Sequence, residues 1–128
     1  MTPIVSHCLW ALAAGTLLAT APAAAHQKPN TAEALLQQCR AYISGTGEVM
    51  AQMTCENTIW SVLKTMEASK AIDPSIRAPY CKPEGLELSV DWAARIFVEY
   101  VNSHPDLLRY PAEHAVLLAL RNSYPCPG

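Results

Sequence analysis

The side chains of this 128-residue chain most able to do chemistry are its five cysteines, Cys8, Cys39, Cys55, Cys81 and Cys126, and its four histidines. Cysteine with histidine suggests zinc, yet no C-x-x-C or H-x-x-x-H spacing presents two ligands together. His104 and His114 fall in different predicted helices, and His26 stands near the chain start. A cysteine nucleophile needs a free thiol in an electropositive setting with a base beside it. No Gly-rich phosphate loop and no G-x-S-x-G elbow is present. These residues point to no metal, no cofactor and no catalytic set, so the expectation is a protein that is not an enzyme. What remains for the cysteines is to bond one another. Cys126 lies between Pro125 and Pro127, two residues from the C-terminus. Termini ordinarily fray, so a rigid tip there is worth having only if the cysteine is tied.

The compartment bears on that bond. Residues 1–25 contain no Asp, Glu, Lys or Arg and run apolar and small to Ala23-Ala24-Ala25. That pattern predicts a secretory signal peptide over 1–25, cut before His26, with export to the periplasm. Cys8 leaves with the signal. The remaining domain, 26–128, keeps Cys39, Cys55, Cys81 and Cys126, an even number that reads as two disulfides in an exported chain. A formal net charge of −2 with dispersed charges leaves no basic footprint for nucleic acid. No second apolar stretch reaches membrane-spanning length, so no membrane association is expected after cleavage.

The elements that must position these cysteines are helical throughout, with no β-alternation in competition. Asn30 with Glu33 makes a capping-box pattern ahead of Leu35, Leu36, Cys39, Tyr42 and Ile43. Gly45-Thr46-Gly47 breaks that first helix. A second is expected over 48–69, burying Cys55, Ile59, Val62 and Met66 with Trp60 and Leu63 alongside. Its wet stripe is Thr54, Asn57, Thr58, Ser61 and Lys64. Pro74, Pro79, Pro83 and Gly85 predict an irregular linker over 70–88. Ser89 suits the cap of a third helix that stops near His104, before Pro105. Pro111 suits the first turn of a fourth, about 111–123. The expected fold class is all-α: a small four-helix bundle of two helical hairpins, stapled by disulfides. Cys39 and Cys55 are nearly symmetric about the 45–47 turn, and Cys81 and Cys126 flank the second hairpin. This favours pairing 39–55 and 81–126; pairing 39–81 with 55–126 stays open.

One segment carries more apolar surface than a single neighbour covers. The third helix, SVDWAARIFVEYVNSH, confines its charges to Asp91, Arg95 and Glu99. Trp92, Ile96 and Tyr100 line one flank, and Val90, Ala93, Phe97 and Val101 line the other. Either this helix is central, or part of it faces another chain. The connection after it, HPDLLRYP, is bounded by Pro105 and Pro111. Asp106, Arg109 and Tyr110 there are candidate partner-binding residues, with Trp92 and Tyr100 on the helix. The competing reading of the connection is a tight interhelical turn.

Residues 81–126 also carry a pattern: Cys81, Pro83, Gly85, then Val98 and Tyr100, His104-Pro105, Leu108, Pro111-Ala112, Ala119-Leu120 and Tyr124-Pro125-Cys126. With LLQQC at 35–39 and Cys55 before it, this resembles the Tai family of type VI secretion amidase-immunity proteins, a Rap/Tai-type immunity domain. Thr58 and Ser61 stand where that family carries Tyr and Gly, so the first half matches loosely. The resemblance implies an exported, disulfide-bonded, all-helical homodimer. Such a protein plugs the active-site cleft of a papain-like peptidoglycan amidase. A periplasmic acid-stress chaperone or an envelope adaptor without a toxin partner has the same outline and is the alternative.

Overall fold

The computed structural model describes residues 31–128. The expected signal peptide, its cleavage before His26 and the capping role given to Asn30 lie outside them. Four helices account for the fold: α1 (Ala32–Ser44), α2 (Val49–Ile72), α3 (Val90–Ser103) and α4 (Ala112–Ser123). A 3₁₀ turn, Pro105–Arg109, joins α3 to α4. Among the described residues there is no strand, only an isolated antiparallel bridge between Thr31 and Pro111.

Each helix begins and ends for a local reason. Thr31, not Asn30, occupies the N-cap of α1, its hydroxyl accepting from the Ala34 amide at 3.3 Å. The bridge to Pro111 and the bond from the Ala32 amide to the Tyr110 carbonyl, 2.9 Å, set the chain so that Thr31 is the last extended residue. Gly45 ends α1 in the left-handed region at φ 65°, which a Cβ would strain. α2 runs three residues past its expected end at 69, because no breaker precedes Pro74. Asp73 stops it, its carboxylate accepting from the Ser75 amide and hydroxyl at 2.9 and 2.6 Å. Those two bonds hold the Asp73 carboxyl below its ordinary value, the side-chain bond contributing more. Ser89 caps α3 as expected, accepting from the Trp92 amide at 3.1 Å. α4 starts at Ala112, with Pro111 at its cap position.

Every helix touches the other three. Leu35, Ile59, Phe97, Val101, Val116 and Leu120 are fully buried where they meet, around Cys39 and Cys55. Each such apolar side chain contributes roughly 1.5–3 kcal/mol by burial. α3 buries Ala93, Ala94, Ile96, Phe97 and Val101 against all three other helices. Two expectations for α2 need correction. Thr58, placed on the wet stripe, is 5% exposed, because α2 packs against three helices and its buried arc widens beyond one neighbour. Trp60, expected beside the buried face, is 55% exposed, lying past the edge of that arc.

The disulfides are Cys39–Cys55 and Cys81–Cys126, with Cα–Cα separations of 5.0 and 4.8 Å. The open alternative, 39–81 with 55–126, is thereby excluded. The closed loops span 16 and 45 residues, which by loop entropy is worth about 3 and about 4 kcal/mol.

Candidate functional site

The α3–α4 connection is built inward before it is presented outward. His104 caps α3, and Pro105 follows, so the chain cannot continue as a helix. Leu107 then turns into the core, 5% exposed. Its amide donates to the His104 carbonyl at 3.0 Å, and the Tyr110 amide donates to the Leu107 carbonyl at 2.9 Å. The Tyr110 carbonyl in turn accepts from Ala32 at the start of α1. A 3₁₀ turn hydrogen-bonded within itself and pinned to α1 has little freedom left to lose.

What this turn offers to solvent is Asp106, Arg109 and Tyr110, all exposed. Neither Asp106 nor Arg109 makes an ion pair among the described residues. The Tyr110 ring is tilted over His114, centroids 5.6 Å apart. Tyr100 lies one turn before His104, their rings stacked at 4.1 Å, and the His104 ring nitrogen Nδ1 sits 2.8 Å from the Tyr100 carbonyl. The pair lines a 200 Å³ cleft with Glu99, Ser103, Asn122 and Ser123. Carboxylate, guanidinium and phenol within one short turn suit recognition of a protein surface.

Trp92 is elsewhere. It stands in the first turn of α3, more than ~15 Å along the axis from the connection at 1.5 Å per residue. Its indole Nε1 donates to the Tyr124 hydroxyl at 2.9 Å, which places it with the C-terminal segment. Of the five candidate residues, Asp106, Arg109 and Tyr110 share the turn, Tyr100 stacks on His104 just before it, and Trp92 lies apart.

The surface carries two further features. Val49, Met53 and Trp60 are exposed apolar side chains on one face of α2, at the i, i+4 and i+11 spacing of a helix. The second is a 330 Å³ cleft between α2 and the linker, lined by Met66, Glu67, Lys70, Tyr80, Cys81 and Pro83. It arises because Tyr80, 8% exposed, anchors an otherwise exposed segment beside the staple. Among the described residues no group of three or more His, Cys, Asp or Glu side chains could hold a metal. No described helix is long and apolar enough to cross a membrane.

The model of a family described as Rap1a immunity proteins matches residues 8–126. The chain belongs to the Rap1a immunity protein family. Tai is a related family, so the sequence resemblance pointed to the right kind of protein, with Rap1a the family matched. No curated protein and no solved structure matches the chain. As a Rap1a member it is an immunity protein of the type VI secretion kind, whose partner is a protein effector. Such families act by binding and are typically non-enzymatic.

Proposed function

We propose that this Rap1a-family protein neutralises a papain-like peptidoglycan amidase by seating its α3–α4 connection in the enzyme's cleft. The carrying observation is a pinned 3₁₀ turn that exposes Asp106, Arg109 and Tyr110 while Leu107 anchors it in the core. Because the turn is already ordered, binding costs little conformational entropy. A papain-like site uses a Cys–His pair, so a projecting turn blocks it sterically and needs no chemistry of its own. Tyr100 extends this contact along α3. In this reading the chain is exported to the periplasm, loses residues 1–25 and acts as a homodimer, which brings two such turns to the effector.

The test is co-expression with a papain-like peptidoglycan amidase, followed by calorimetry and a peptidoglycan-hydrolysis assay. An Arg109→Ala, Tyr110→Ala double variant keeps its helical signal and loses at least tenfold in affinity, about 1.4 kcal/mol or more. Wild-type binding and protection by that variant would place the contact elsewhere, with the linker at 82–88 the next segment to substitute.

A further inference from the structure

The two disulfides differ in one respect that matters chemically. Cys39 and Cys55 are sealed in the core, whereas Cys81 and Cys126 are both exposed. Thiol–disulfide exchange requires a thiolate to reach a sulfur atom, so access decides which bond a reductant opens. The exposed bond also joins two weakly packed segments. Residues 81–87 are exposed throughout, as are Pro125 to Gly128. Apart from the bond itself, they are held by the buried Tyr80 ring, by Leu88 and Tyr124 half-buried against the core, by the Cys81 amide donating to the Tyr124 carbonyl at 2.8 Å, and by the Trp92–Tyr124 contact. The 330 Å³ cleft beneath shows that the linker is not packed flush on α2. The fully buried side chains, from Leu35 to Leu120, include neither Cys81 nor Cys126.

We propose that Cys81–Cys126 is a reducible latch: a dithiol opens it selectively, releasing the linker 73–88 and residues 124–128 while the bundle and Cys39–Cys55 stay intact. The attacking thiolate bonds to one sulfur of the pair, and the S–S bond breaks. Its electrons leave on the other cysteine, which takes up a proton. The second thiol of the reductant then attacks the mixed disulfide, freeing the second cysteine and closing the dithiol into its own disulfide. Two electrons and two protons pass from the dithiol to the protein. The released linker opens the α2 cleft and exposes Tyr80, so the surface offered to a partner depends on the redox state of this one bond.

The experiment titrates oxidised full-length protein with dithiothreitol, traps free thiols by alkylation and maps them by peptide mass. Circular dichroism and hydrogen exchange are followed in parallel. Cys81 and Cys126 are labelled at reductant concentrations at least tenfold below those that label Cys39 and Cys55. Helical signal is retained, and exchange accelerates in 73–88 and 124–128. A Cys81→Ser, Cys126→Ser variant reproduces that exchange pattern without reductant. The proposal is overturned if both bonds open together, if helical signal falls as the exposed bond opens, or if exchange in 73–88 is unchanged. Failure of the double variant to fold overturns it as well, because the bond would then be part of the fold and not a latch upon it.

Discussion

Tyr80 shows how much one side chain can do in an irregular segment. It is the one member of the 73–88 linker counted among the buried core, and it sits one residue before the staple. Burial, with the Glu67 charge adding, raises its phenol above the ordinary value of 10.0. A raised value means that the folded chain holds the proton more tightly than the unfolded one. The stabilisation is therefore fully present below about pH 10 and is lost as pH rises through the folded value. A Tyr80→Phe variant, followed by urea unfolding across roughly pH 8 to 11, should lose less stability over the alkaline limb than wild type. Equal losses in both would show that other groups set that limb. Nothing in the sequence marks Tyr80 as buried, since it lies between prolines in a segment with no periodicity. Ser89, by contrast, was legible, because a capping hydroxyl acts on amides two and three residues away.

At the scale of the element, caps and breakers explain most of the boundaries. The Ser89 bond to Trp92 is local, and replacing Ser89 with alanine should cost about 1 kcal/mol. Chemical denaturation checks this, read as a lower midpoint at constant slope. A change below a few tenths of a kcal/mol would mean that the linker, not the cap, sets the start of α3. α2 shows what local signals leave out. Its inner face at Cys55, Ile59 and Val62 follows from helical spacing, but the same spacing puts Thr58 in water and Trp60 beside the core, where the structure has the reverse. The width of a buried arc depends on how many helices pack against it, and no local signal states that number.

For the whole molecule, the two bonds divide the work of holding a small domain together. Cys39–Cys55 lies in the core and joins α1 to α2, while Cys81–Cys126 closes the second hairpin from outside. Replacing Cys39 and Cys55 with alanine should lower unfolding stability by about 3 kcal/mol from loop entropy. That is a large share of the ~5–15 kcal/mol typical of a domain. Urea unfolding of the double variant measures it, and a loss under 1 kcal/mol would mean that the α1–α2 hairpin is held by packing alone. Several features were decided by the sequence itself: four helices, the Ser89 cap, the Gly and Pro breakers, and the hairpin symmetry that pairs the cysteines. Each rests on interactions between residues close along the chain, or on a symmetry about a visible turn. Other features came only with the tertiary structure. Docking the hairpins packed every helix against the other three, buried Thr58 and Tyr80, and left Trp60 outside. It also separated Trp92 from Asp106, Arg109 and Tyr110 by the length of α3. Those outcomes depend on which helices meet, and that is settled by packing between residues far apart in sequence.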